Sequence, residues 1–215
     1  VPLHRLSADH HLHQSGIGPV TLGADATTPK VCLMLAAGLS SRMGQWKMML
    51  PWGEGTVLDG ALGAALSFCD RVVLVTGFRG AELSWRYGGH SRITLRHNED
   101  FTQGMFSSIR CGAAALDDGY FFLALGDMPA VSGEVYRALW RRRDGVCLVP
   151  EYAQGKGHPV LLPPAMREAV LAAADDASMK ALIARHGQRR VPVADGAIHW
   201  DMDTPEQYQR LLRRR

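Results

Sequence analysis

From residue 36 the chain reads Ala36-Ala37-Gly38-Leu39-Ser40-Ser41-Arg42-Met43-Gly44-Gln45-Trp46-Lys47, directly after the apolar run Val31 to Leu35. Small residues let backbone N–H groups come close to a ligand, and two cations in one loop suit a polyphosphate. Arg42 can fork across phosphate oxygens. Lys47 supplies a compact charge able to sit between an α-phosphate and a leaving pyrophosphate. The G-x-x-x-x-G-K-S/T order of a Walker loop is missing, and so is G-x-G-x-x-G. Thr76-Gly77 ends the second strand where an acidic ribose-binding residue would be wanted, which weakens a dinucleotide site further. A glycine-bearing turn with ordinary surface cations is the plainer alternative. The loop's position at the end of the first strand favours phosphate.

Carboxylates follow at two later places. In Leu125-Gly126-Asp127-Met128-Pro129, Asp127 emerges at the end of an apolar strand, between a glycine and a proline. Facing a triphosphate, such a carboxylate would hold Mg²⁺, a hard cation that prefers oxygen ligands and keeps several waters. Helix capping is the alternative, but Ser132 is the better cap. In Asp201-Met202-Asp203-Thr204-Pro205-Glu206, two carboxylates one residue apart in an extended segment point to the same side, as a shared metal needs. Asp203 or Thr204 could equally cap the helix opened by Pro205.

Two further segments offer contacts. Gln103-Gly104-Met105-Phe106-Ser107-Ser108 places a glycine before a helix with hydroxyls in its first turn, a source of donors for ribose, base or phosphate; plain capping would look the same. Gly155-Lys156-Gly157-His158-Pro159 sets His158 on a tight turn where an exposed ring could touch substrate, although a lone histidine is more often structural. It lacks obvious zinc partners.

The elements that must position these residues follow a regular alternation. Apolar β-rich runs are expected at Val31–Leu35, Arg71–Val75, Ile93–Leu95, Tyr120–Leu125, Val146–Val149, Val160–Leu162 and Arg190–Val193. Helical patterns fall at 56–68, 80–87, 105–116, 133–142, 165–174, 178–185 and 205–212. The alternation predicts an α/β fold with a largely parallel sheet and helices on both faces. In such sheets ligands bind beyond the carboxyl ends of strands. That puts the loops 38–47, 76–79 and 126–129 on one rim. One domain is expected over 31–215, with no internal repeat. Residues 1–30 are polar, hold His4, His10, His11 and His13, and show no period; they read as a disordered extension or a misplaced start. They lack the apolar core of a signal peptide.

The 215 residues suffice for a full core, and the net charge of +3 is small. Much of that charge lies in Arg213-Arg214-Arg215, a helix end favoured by the dipole rather than a nucleic-acid stripe. No stretch is apolar for long enough to span a bilayer. Four cysteines, Cys32, Cys69, Cys111 and Cys147, lie far apart with no C-x-x-C pair, which fits a reducing cytoplasm.

Taken together, L-A-A-G-L-S-S-R-M-G-Q-W-K-M-M-L-P at 35–51, G-M-F-S-S-I at 104–109, G-D-M-P at 126–129, G-H-P-V at 157–160 and D-M-D-T-P at 201–205 resemble the MobA-like nucleotidyltransferases. The resemblance covers nearly all of 31–212. It implies a three-layer α/β/α Rossmann-like fold and transfer of a cytidylyl group from CTP to molybdopterin with Mg²⁺. By motif, Ala36, Ala37, Gly38, Ser40, Ser41, Arg42 and Lys47 would hold the triphosphate. Thr76, Gly104, Ser107 and Ser108 would lie near the nucleotide. Gly157, His158 and Pro159 would face the pterin side. Asp127, with Asp201 and Asp203, would bind metal. Guanylyl-transferring relatives usually carry L-A-G-G, and Ala37 replaces their first glycine; its methyl narrows the base site and fits a pyrimidine better than a purine. Guanylyl transfer, an oxidoreductase of the same fold, and a carrier that delivers the cofactor to an apo molybdenum hydroxylase are the alternatives. Neither nucleic acid nor a membrane is an expected partner.

Overall fold

The computed structural model describes residues 28–38, 43–200 and 202–214. The expected extension at 1–30 lies almost wholly outside them. The sheet is built from β1 (Val31–Ala36), β4 (Arg71–Thr76), β5 (Ile93–His97), β6 (Phe121–Leu125), β7 (Cys147–Tyr152), β9 (Val160–Leu162) and β10 (Gln188–Pro192). Short strands β2 (Pro51–Trp52) and β3 (Gly55–Thr56) form a separate hairpin, and β8 (Gly155–Lys156) pairs with β7. The helices are α1 (Val57–Leu66), α2 (Gly80–Tyr87), α3 (Met105–Ala113), α4 (Gly133–Trp140), α5 (Pro164–Ala172), α6 (Met179–His186) and α7 (Pro205–Arg214).

Strand order is β10-β7-β9-β6-β1-β4-β5. Neighbours run parallel except β9, which is antiparallel to both β6 and β7. The alternation along β1 explains the layers. Cys32, Met34 and Ala36 enter one apolar cluster with residues of α1, α2 and α4, while Leu33, Leu35 and Ala37 enter the other with α3, α5 and α6. Both faces are thus covered, as a buried parallel sheet requires, and the expected three-layer α/β/α fold is what forms.

The chain leaves β1 for β4 on one side and returns to β6 on the other. The crevice beyond the carboxyl ends of β1 and β6 is therefore a topological switch point, where ligands bind in open α/β sheets. A third apolar cluster joins Met43, Leu50 and Val57 to Met202, Tyr208 and Leu211. Tyr208 also donates its hydroxyl to the Pro51 carbonyl at 2.5 Å. These contacts fold α7 back onto the segment after β1 and bring residues near 203 to the rim.

Candidate active site

At the switch point lies a cavity of about 540 Å³. Ala37, Gly38 and Lys47 line it from the β1 side, Asp127 from the end of β6, Gly104 and Ser108 from the start of α3, and Asp203 from the segment before α7. The glycine after β6 is dictated by crowding. A Cβ on Gly126 would lie 2.9 Å from the Leu35 carbonyl, which accepts from the Gly126 N–H at 2.8 Å. No side chain fits between those two strand ends, so the next residue, Asp127, is delivered directly to the crevice. Gly104 has φ 106° and ψ 178°, a conformation in effect confined to glycine.

Lys47 opens a short 3-10 turn, Lys47–Met49, and reaches both carboxylates. Its Nζ lies 2.5 Å from Asp127 Oδ2 and 3.1 Å from Asp203 Oδ1. The side chains are only 13%, 17% and 34% exposed, so water screens these pairs less than it would surface pairs. Burial by itself would lower the Lys47 ammonium, but the charges and hydrogen bonds of Asp127 and Asp203 outweigh it and raise its pKa. The choice left open between Asp203 and Thr204 resolves by division of labour. Thr204 Oγ1 accepts from the Gln207 N–H, and Gln207 Oε1 accepts from the Asp203 and Thr204 N–H groups, a reciprocal cap. The Asp203 carboxylate turns to Lys47 instead.

Other expected residues fall elsewhere. Ala36 is buried in the sheet beneath the cavity. Thr76 is buried as well, and its hydroxyl pairs with His97 Nδ1 at 3.2 Å, so it braces the end of β4 rather than lining the cavity. Ser107 donates to the Gly104 and Asp100 carbonyls, and the Asn98 amide donates to both Ser107 and Ser108. Ser40, Ser41, Arg42 and Asp201 lie outside the described residues. Gly157 and His158 line a second, larger cavity, while Pro159 is buried beside Met128 and Leu125. The His158 ring is half-buried rather than exposed on its turn. Burial holds its pKa below the usual imidazole value, and the Asp127 charge offsets only part of that.

Sequence reasoning missed three contributors, Phe101, Thr102 and Asn98. Phe101 and Thr102, on a 3-10 turn after β5, line the smaller cavity with Met48 and Met105. Buried Asn98 holds that turn, accepting the Asp100 N–H at 3.0 Å. An asparagine just past a strand was the available signal, since its side chain can substitute for backbone turns.

A triphosphate site implies a divalent ion. The donor set fits one: two carboxylates converge on a single cation, leaving one net negative charge among the three groups. Among the described residues no cluster of three or more metal-ligating side chains occurs. The protein would then supply few ligands and leave the rest to phosphate and water, as Mg²⁺ prefers.

Fold and site together define an α/β nucleotidyltransferase. The match to the MobA-like NTP transferase domain spans residues 32–191, and the chain belongs to that family. It is 38% identical over 177 residues to the molybdenum cofactor cytidylyltransferase of Escherichia coli strain K12, covering 82% of this chain and 92% of that one. Among solved structures, a Mycobacterium sp. strain JC1 homologue of the Rv0371c protein is 29% identical, with a TM-score of 0.75 over 86% of this chain and 96% of the other. Rv0371c of Mycobacterium tuberculosis, solved as a complex with manganese, is 26% identical, with a TM-score of 0.69 over 86% and 99%. Among the described residues no helix is long and apolar enough to cross a membrane.

Proposed function

We propose that this chain transfers CMP from CTP to the terminal phosphate of molybdopterin, the organic part of the molybdenum cofactor, releasing pyrophosphate. The observation that carries this reading is the convergence of Lys47, Asp127 and Asp203 on a cavity walled by the backbone of Ala37, Gly38 and Gly104. The relative of stated cytidylyltransferase activity supports the choice of reaction. Ala37 lines the cavity at the place where guanylyl-transferring relatives usually carry a glycine, which supports a pyrimidine over a purine.

The acceptor phosphate is already an anion, so the reaction needs no strong base. An acceptor oxygen forms a bond to the α-phosphorus in line with the bond to the β-phosphate that breaks, and the electron pair leaves with pyrophosphate. The obstacle is charge: an anion must approach a polyanion. Lys47 supplies a fixed positive charge for the α-phosphate, and by the motif Arg42 would add a second. Held by Asp127 and Asp203, a divalent ion such as Mg²⁺ would neutralise phosphate oxygens. Backbone N–H groups of the loop after β1 would orient the triphosphate. His158 stays uncharged at neutral pH and stands at the acceptor side with Gly157. Four free thiols support a reducing, cytoplasmic setting.

The test is pyrophosphate release with molybdenum-loaded molybdopterin, comparing CTP, GTP, ATP and UTP with and without Mg²⁺. CTP with Mg²⁺ should be preferred. Asp127→Ala and Lys47→Ala should each lower kcat by about two orders of magnitude or more, the ~3 kcal/mol expected of one such contact. Near-normal turnover in both variants would refute the assignment.

A further inference from the structure

Asn98 follows the last residue of β5 and is buried. Its N–H donates to the Thr76 carbonyl at 2.7 Å, which anchors it to the end of β4. The side chain faces the start of α3. Its Oδ1 accepts from the Asp100 N–H at 3.0 Å, and its Nδ2 donates to Ser107 Oγ at 2.9 Å and to Ser108 Oγ at 3.0 Å. A backbone N–H can only donate, so the amide cannot be turned over. Oxygen faces Asp100, the NH₂ group faces the serines, and each amide proton has its own hydroxyl.

The two hydroxyls are left in different states. A serine Oγ carries one proton and two lone pairs. Ser107 accepts from Asn98 and spends its proton within the turn, where the Gly104 carbonyl lies at 2.7 Å and the Asp100 carbonyl at 3.2 Å. Ser108 also accepts from Asn98, but among the described residues its own proton has no acceptor. The back-bond of a helical serine to a carbonyl one turn earlier is not made. Ser108 lines the smaller cavity, with Lys47, Asp127 and Asp203. A buried donor beside a cavity is completed from the cavity side.

We infer that Asn98 is a positioning residue that makes Ser108 a hydrogen-bond donor to the bound nucleotide. An amide proton fills one lone pair of Ser108, and the hydroxyl proton is turned to the cavity. The inference rests on the CTP-dependent reading of this cavity and adds to it a residue that does not line the cavity at all. It also separates two adjacent serines that look alike in sequence: Ser107 closes the turn, and Ser108 faces the ligand.

Asn98→Asp inverts the pattern with almost no change of shape. The carboxylate still accepts the Asp100 N–H, but its second oxygen can only accept, so the Ser108 proton turns to it and away from the cavity. CTP binding in Mg²⁺ is measured by calorimetry on the full chain, as a double-mutant cycle of Asn98→Asp with Ser108→Ala. Ser108→Ala should weaken CTP about tenfold, and Asn98→Asp about tenfold or more. In the Ser108→Ala background Asn98→Asp should cost less than about threefold, because the hydroxyl through which Asn98 acts is gone. A purely structural Asn98, or repulsion between the new carboxylate and the triphosphate, would lower affinity by the same factor in both backgrounds. Asn98→Ala removes the amide without adding charge and runs through the same cycle, with a smaller loss that again depends on Ser108; it keeps the test open if thermal melting shows that Asn98→Asp does not fold. In turnover, Asn98→Asp should raise the KM for CTP and leave that for molybdopterin unchanged. Losses that multiply in either cycle, or wild-type CTP affinity in Ser108→Ala or Asn98→Asp, would overturn the inference. Cycles that fail to multiply, in an enzyme that releases no pyrophosphate from CTP, would support it and sink the transferase reading alone. A wild type that binds no CTP would sink both.

Discussion

One ammonium between two carboxylates is an arrangement with a definite cost of removal. Lys47 neutralises half of the charge that Asp127 and Asp203 bring into a partly buried crevice. Without it, two like charges face each other in a medium less polar than water, where their repulsion is stronger. The pair then seeks another cation. Lys47→Met should therefore bind free Mn²⁺ more tightly than the wild type in the absence of nucleotide, by about tenfold, while turnover falls. Asp203→Asn should bind it more weakly. Electron paramagnetic resonance of free Mn²⁺ reads both, and tighter binding in Asp203→Asn than in Lys47→Met would show that the two carboxylates do not share one cation. The raised pKa of Lys47 carries a pH consequence with a clear sign. Its contribution to stability is complete below the unfolded lysine value, about 10.4, and is lost only as pH rises through the folded value, so this group does not titrate near neutrality.

At the scale of elements, α1 shows how a local signal and a tertiary one coincide. Thr56 Oγ1 accepts from the Asp59 N–H at 3.1 Å and Asp59 Oδ2 accepts from the Thr56 N–H at 2.9 Å, a complete capping box. The same carboxylate accepts from Tyr87 at 2.7 Å and Arg86 at 2.6 Å, which ties the start of α1 to the end of α2. Burial would raise the Asp59 carboxyl, but the hydrogen bonds from Tyr87, Arg86 and Thr56 outweigh it and hold it below the usual value. Asp59→Ala should lower stability by about 1–3 kcal/mol at pH 7, measured by denaturant unfolding. The depressed pKa means this contribution is present above the unfolded value, about 3.9, and fades as pH falls through the folded one, so the two proteins should converge in acid. The helix beginning at residue 56 was legible in its apolar period, whereas the contact with α2 was not. The same division holds for the sheet. Apolar runs located β1, β4 and β6 because a strand buried on both faces is apolar throughout. The reversal of β9 escaped notice because a buried antiparallel strand of three residues looks the same in sequence. Lys47 and Asp127 were legible because each follows a strand end, and Asp203 because it forms a D-x-D pair. Phe101 and Thr102 were not, because a three-residue 3-10 turn has no period.

For the molecule as a whole, the cysteines report whether the two-faced core opens. Cys32 and Cys69 lie in the cluster under α1, α2 and α4, and Cys147 in the cluster under α3, α5 and α6. Burial pushes the Cys32 thiol up to about 12 and Cys147 to about 11, and raises Cys69 further. A buried thiol of high pKa offers neither access nor thiolate to a reagent. Cys111 is only half-buried, and burial raises its pKa too. At pH 8 the native protein should therefore give one thiol to an aromatic disulfide reagent and four after denaturation. The three slow thiols should react at the rate at which the sheet opens. Ligands that bind the folded chain lower the population of open molecules, by about 2.7 kcal/mol at a hundred times Kd. CTP with Mg²⁺ at that excess should thus slow Cys32, Cys69 and Cys147 by about a hundredfold while changing Cys111 little. Equal slowing of all four would mean that Cys111 also waits on global opening. Slowing confined to Cys32 and Cys69 would mean that the half of the sheet carrying β7 and β9 opens on its own, and that nucleotide binding at the β1–β6 crevice does not hold the larger cavity in place.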